Sequence, residues 1–230
     1  MKINRKFKFI FSCLLIIFFD ACSINKIDSN IDSFYYGEFN QKNINNLSPK
    51  IVKDKVVLNK PEDINSEKIK KEISDLNGHK LNSDEEYRIS YWNNSIDQWL
   101  EIASDLGKKY NKNETELSLI SNYLGDSQYD SLLNTFQNKY LYNRKFKENF
   151  KTPSYPSEKA AIAEVSANIL IYFYPNEKEF LVKKAIESKE TAFWGKENLK
   201  SDIESGTEIG RIISEKSIEI IKLSKKNHKI

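Results

Sequence analysis

The sequence predicts an all-α protein, a single bundle of about six helices, and three observations carry that expectation. From residue 65 onward apolar residues recur at three- and four-residue spacing instead of alternating, as on the buried face of a helix. Several of these runs are preceded by Ser or Asn with Glu three residues later, the pattern that closes a helix N-terminus. Glycine or proline stands where the runs stop. About 170 residues of this kind suffice for one domain with its own core.

Residues 1–21 join a basic start (Lys2, Arg5, Lys6, Lys8), an apolar run from Phe9 to Phe19, and Asp20-Ala21 ahead of Cys22. The run is well short of the roughly 20 residues a spanning helix needs, so it reads as an export signal peptide. Cys22 directly after Ala21 suggests the acylated cysteine of a bacterial lipoprotein. The expected partner is then a cell-envelope membrane, held through a lipid anchor at Cys22. An ordinary cleaved signal with Cys22 incidental is the plainer alternative. The other cysteine, Cys13, lies inside the signal, so the exported chain would hold no disulfide and must rely on packing.

The signal carries four of the 36 basic and one of the 33 acidic residues, which leaves 32 of each in residues 22–230. The basic balance of the whole chain belongs to the signal, and nothing supports nucleic-acid binding. Residues 22–62 are rich in Asn, Ser, Asp and Lys and read as a lipid-anchored tether, with the helical domain at 63–230. Within the tether Ile51–Leu58 has the composition of an edge strand but no strand to pair with, so it is expected to lie along the helical body.

Asn65-Ser66 opens the first helix, with Ile69, Ile73 and Leu76 on one face and Gly78 as its stop. Ser83 and Glu86 form a capping-box pair ahead of a long stripe: Tyr87, Tyr91, Trp92, Ile96, Trp99, Leu100, Ala103 and Leu106, up to Gly107. Asn113 and Glu116 repeat the signature before Leu117, Ile120, Leu124, Leu132, Leu133, Phe136 and Tyr140, with Gly125-Asp126 the place for a break. A fourth helix runs from Ser157 to about Phe173, and Pro175-Asn176 separates it from a fifth through Phe180, Leu181, Ala185 and Ile186. Ser201 and Glu204 open the last, whose Gly206 and Gly210 lie four apart on an apolar face, the mark of a closely approaching helix backbone.

The stretch Pro153-Ser-Tyr-Pro-Ser-Glu-Lys159 organises the domain, because a proline-stiffened turn ends in a serine at a helix start, where backbone donors favour an anion. It resembles the second motif of the type 2 phosphatidic acid phosphatase and vanadium haloperoxidase superfamily, Pro-Ser-Gly-His or Pro-Ser-Glu-His. Tyr91-Trp92-Asn93 to Ala103 looks like the helix that bacterial members carry ahead of their first motif. Tyr129-Asp130 with Lys139 to Arg144 is similar to the first motif, and Asn198 to Arg211 resembles the third motif and its following helix. The likeness covers roughly residues 84–216, in family order.

The resemblance implies a helical phosphatase or haloperoxidase-like fold. It also implies a site in which a lysine and two arginines neutralise an oxyanion, one histidine attacks phosphorus and a second protonates the leaving oxygen. Carried over residue by residue, Lys139 falls at the clamp lysine and Ser157 at the motif serine. Phe146 stands where the first arginine belongs, with Arg144 as a neighbouring substitute. Lys159 replaces the general-acid histidine, and its reference pKa of about 10.4 makes a poor proton donor. The Ser-Arg pair of the third motif aligns with Thr191-Ala192, and the nucleophilic histidine with Asn198. Asp202 holds the place of the orienting carboxylate. His79 and His228 lie outside every motif and read as solvated surface residues.

Catalysis on the family plan is thus not expected, nor is vanadate on a histidine ligand, and no other cofactor or metal is indicated. Three readings follow. One is a pseudoenzyme of the envelope, retaining a small oxyanion through Lys139, Arg144, Ser157 and Lys159. A second is a phosphoric monoester hydrolase with a rebuilt site, supported by Lys159 or Asp202. A third is a purely structural or interaction helical lipoprotein.

Overall fold

The computed structural model describes residues 37–227, and residues from Glu38 onward form one compact unit. The signal, Cys22 and His228 lie outside the described residues. Seven α-helices occur among the described residues, with no strand: α1 (Glu67–Gly78), α2 (Ser83–Tyr91), α3 (Ser95–Lys109), α4 (Glu114–Tyr142), α5 (Glu158–Phe173), α6 (Lys178–Trp194) and α7 (Lys200–Asn227). Short 3₁₀ turns stand at Ile44–Asn46 and Pro175–Glu177. No described helix is long and apolar enough to cross a membrane.

The seventh helix arises where the long aromatic stripe divides. Asn94 caps α3 through Asp97 N, so the chain turns at Trp92–Asn94 instead of running on. The capping box of α2 is Asn82 with Glu85, one residue before the expected Ser83 and Glu86, and Tyr87 points to solvent. Asn113 and Glu116 do close the start of α4, which continues unbroken through Gly125-Asp126 for 29 residues. At the start of α7 the reciprocal bond is from Leu199 N to the Asp202 carboxylate (2.9 Å), so Asp202 and not Glu204 closes that end.

Helix α5 is the axis of the bundle and packs against α3, α4, α6 and α7. Most of its surface is apolar and enclosed, with Ala160, Ala161, Ile162, Ala163, Val165, Ile169 and Leu170 fully buried. Each such Ile, Leu or Val side chain contributes about 1.5–3 kcal/mol by leaving water. Helix α7 reaches this axis through Gly206 and Gly210. A Cβ at Gly206 would overlap the Ser157 carbonyl oxygen, and one at Gly210 would stand 2.5 Å from that of Ala161.

Residues 50–59 lie extended along α4, held by side chains spaced four apart on that helix. Buried Asp130 accepts the backbone N–H groups of Lys50 (2.6 Å), Ile51 (2.8 Å) and Val52 (2.7 Å). One turn on, Asn134 accepts Val56 N; a further turn on, Asn138 accepts Leu58 N and donates to Val56 O. Tyr142 reaches Leu58 O. The amide side chains thus satisfy an extended backbone that has no strand partner, while Val52, Val56 and Leu58 are buried. The compact unit that holds the helices therefore includes residues 38–62, which were expected to be a tether.

Candidate functional site

Three separate chain segments meet at the start of α5. The last turn of α4 supplies Lys139, and the chain then leaves through Asn143, whose left-handed conformation (φ 49°) suits an asparagine after a helix, to place Arg144. The Pro153–Ser157 turn lies across them. The turn between α6 and α7 brings Asn198, and the first turn of α7 brings Asp202.

Lys139 is 1% exposed. Its ammonium donates to the carbonyls of Pro153 (2.7 Å) and Ser154 (3.2 Å), and it stands 2.8 Å from a Glu158 carboxylate oxygen, an ion pair off the line of a hydrogen bond. Ser157 caps α5 at Ala160 N and donates its hydroxyl to Asn198 Oδ1 at 2.9 Å. Asn198 Nδ2 donates to the Ser154 carbonyl at 2.7 Å, and Ser157 N to the Asp202 carbonyl at 2.9 Å. Arg144 pairs with the Asp202 carboxylate and lies over the Tyr155 ring at 5.0 Å. Burial raises the Asp202 pKa, while Arg144, the Leu199 N–H and Lys139 pull it the other way. Lys159 sits at the edge of this cluster, held by Glu197 at 2.9 Å, and that glutamate is 42% exposed.

The sequence-predicted positions Lys139, Arg144, Ser157, Asn198 and Asp202 thus converge, with Lys159 beside them. Ala192 does not join by its side chain, which is buried in α6; its carbonyl accepts the Glu197 and Asn198 N–H groups and so shapes the turn that carries Asn198. Phe146 packs against the apolar cluster of Ile69, Leu76 and Leu199. His79 differs from expectation, since it is half-buried, meets Glu85 at 3.2 Å and packs edge-on against Phe193. Sequence reasoning passed over Glu158 and Glu197. Glu158 adjoins Lys159 inside the motif, and reading charge balance across it would have flagged the pair.

The chemistry of the cluster follows from its partners. Each of three cations faces a carboxylate of the same chain: Lys139 with Glu158, Arg144 with Asp202 and Lys159 with Glu197. Formal charge cancels. Asn198 has both ends of its amide engaged, and no imidazole is present among these residues. A larger cleft of about 610 Å³ lies between α6 and α7, lined by Ile186, Phe193, Trp194 and Ile203 among others, and shares no residue with the cluster.

This arrangement of helices defines a bundle of the haloperoxidase type. The chain is similar to a solved structure described as the first bacterial vanadium-dependent iodoperoxidase, with a TM-score of 0.57 and 14% identity. The match covers 72% of this chain and 52% of that one, so the chain spans about half the length of this neighbour. No family profile matches the sequence, and no curated protein matches it by sequence.

Proposed function

We propose that this protein is a non-catalytic envelope lipoprotein in which a phosphatase or haloperoxidase-like anion site has become a structural element. The observation that carries the reading is the internal neutralisation of Lys139, Arg144 and Lys159 by Glu158, Asp202 and Glu197. An oxyanion clamp works by presenting uncompensated cations and free donors to incoming negative charge. Here the chain's own carboxylates take that role, and a small oxyanion binds only by competing with them.

The chemistry of the reacting groups supports the same conclusion. Nucleophilic attack needs an available lone pair, and the Asn198 amide nitrogen has none because its lone pair is delocalised into the carbonyl. Lys159 is tied to Glu197 at the rim, so its nitrogen is held by a carboxylate of the chain and not by a leaving oxygen. The residues present do not fit vanadate: the position for an axial imidazole holds Asn198, and Lys139 already has three oxygen neighbours. Acylation at Cys22 would tether the domain to the membrane and explains the signal-like start.

Steady-state hydrolysis of p-nitrophenyl phosphate by the purified protein tests the reading. Wild type and Lys159→Ala are expected to match the buffer blank. Turnover above blank that Lys159→Ala abolishes overturns it in favour of a rebuilt hydrolase. For the anchor, Cys22→Ala in a bacterial host is expected to shift the protein from the membrane to the soluble fraction with loss of the lipid mass. Unchanged membrane association rules the anchor out.

A further inference from the structure

We infer that the far end of α7 is a docking face for an anionic lipid bilayer. Lys222, Lys225 and Lys226 meet the headgroups, and Leu223 enters beside them. The contact needs no acyl chain, so it stands or falls separately from the anchor at Cys22.

The face forms where α5 stops and α7 continues. The two helices run side by side in the same direction, since Gly206 lies against Ser157, Gly210 against Ala161, and Asn168 Nδ2 donates to Ser214 Oγ at 3.0 Å. Tyr172 and Phe173 close α5, and the last turns of α7 lie over their rings. The Lys225 ammonium stands 4.9 Å from the Tyr172 ring centre and 5.0 Å from that of Phe173, and the Lys222 ammonium stands 5.9 Å from Tyr172. Phe173 in turn stacks on Tyr123 of α4 at 6.3 Å. The three rings are half-buried and form one continuous strip beneath the lysines.

The charge of this face is uncompensated. Lys139, Arg144 and Lys159 each face a carboxylate, whereas Lys222, Lys225 and Lys226 are exposed and form no ion pair among the described residues. Glu219 lies one turn before Lys222, and no Asp or Glu stands between it and residue 230. The three cations therefore point their charge at solvent, which suits an anionic partner.

Apolar surface beside them decides what that partner is. Leu223 is 52% exposed, and Leu119, one turn before Tyr123 on α4, is 44% exposed. The helix dipole accounts for lysines at a C-terminus but not for a leucine left in water next to them. At the boundary of a bilayer, headgroup charge and hydrocarbon lie next to each other. Lysines with apolar stems, aromatic rings with a polar edge and an exposed leucine match that boundary. A soluble polyanion would answer the lysines and leave Leu223 where it is.

Co-sedimentation with phosphatidylcholine vesicles, with and without phosphatidylglycerol, tests the assignment. The chain from residue 22 with Cys22→Ala serves as the parent, because it carries no acyl group and retains the whole compact unit from Glu38 onward. Its binding is expected to require phosphatidylglycerol. It should fall as salt rises from about 0.1 M to about 1 M, where the screening length drops from roughly 10 Å to roughly 3 Å. Lys222→Gln/Lys225→Gln/Lys226→Gln is expected to weaken binding at least tenfold, since each lysine near an anionic surface is worth roughly fivefold. Lys60→Gln/Lys80→Gln/Lys200→Gln removes the same charge around the opposite end of α7 and should bind like the parent. Leu223→Ser should weaken vesicle binding several-fold. All these side chains are exposed, so unchanged thermal melts are expected throughout. Equal losses in the two triple variants overturn the proposal, as does binding indifferent to phosphatidylglycerol. Unchanged vesicle binding by Leu223→Ser overturns it in favour of a soluble polyanion.

Discussion

The contact between α5 and α7 makes a sharp demand at Gly206, because a methyl group there would meet the backbone oxygen of Ser157 and not a side chain able to rotate away. Gly206→Ala must therefore push α7 off the axis helix, and forced overpacking of this kind costs typically about 1–3 kcal/mol, occasionally more. Replacing glycine by alanine inside a helix returns about 1 kcal/mol. Backbone contact at the very end of α5 puts the cost at the upper part of its range, for a net loss of about 1–2 kcal/mol. In a domain of this size each kcal/mol moves Tm by roughly 2–4 °C, so a fall of about 2–8 °C is expected. Gly125 supplies the control: it lies inside α4 with nothing within 4 Å of its added Cβ. Gly125→Ala should gain about 0.5–1 kcal/mol and raise Tm slightly. Calorimetry and urea unfolding of both variants read the difference. If Gly206→Ala is as stable as Gly125→Ala, the close approach of α7 to the Ser157 turn is wrong.

Other consequences can be measured on the same protein. Lys139→Met removes a buried cation that bonds the Pro153 and Ser154 carbonyls and leaves half-buried Glu158 without its partner, and should destabilise by about 1–3 kcal/mol in urea unfolding, with part of the loss recovered in Lys139→Met/Glu158→Gln. Asp130→Ala removes the acceptor of three backbone N–H groups. It should open residues 50–58 to proteolysis and to fast amide exchange while the helices stay protected. Lys109 and Tyr110 hold the Glu177 carboxylate below its ordinary 4.5, so its contribution is present above that value and is lost as pH falls through the lowered pKa. Stability of Glu177→Gln should accordingly depend less on pH below 4.5 than wild type. Asp202 acts with the opposite sign: its raised pKa favours the folded state at acidic pH, a contribution lost as pH rises through that value.

The helices were legible because their signals are local. Ser66, Asn113 and Ser157 cap the helices they were expected to cap, and Gly206 with Gly210 announced the close pair. What escaped was set by distant partners. The division at Trp92–Asn94 was hidden by a stripe that stays apolar across the turn, since Trp92 and Trp99 are both buried and lie 5.4 Å apart between ring centres. The docking of residues 50–59 depends on Asp130, Asn134 and Asn138, whose spacing of four lies on a helix read for its apolar face and its motif residues but not for a polar row. In the candidate site Lys139, Lys159 and Asp202 could be located by motif, whereas Glu158 and Glu197 were not singled out and the pairing of each cation was not foreseen. Glu197 meets Lys159 across 38 residues of chain, and Asp202 meets Arg144 across 58.

That asymmetry bears on how such a site should be read at all. A lysine and an arginine at clamp positions would ordinarily count as evidence for oxyanion chemistry. Lys139, however, ties the α4 end to the Pro153-Ser154 turn, and Arg144 with Asp202 ties the same region to α7. Removing either partner leaves a buried charge uncompensated, which costs more than the pair itself contributes. The cations therefore have a reason to stand where they do that involves no ligand. The positions that separate the two cases are those with no folding role for a catalytic group, and there the chain places an amide engaged at both ends and an ammonium paired at the rim. On the proposed reading Asn198 and Lys159 are the positions that tell a silent site from a working one, and the hydrolysis assay on wild type and Lys159→Ala addresses the second of them directly.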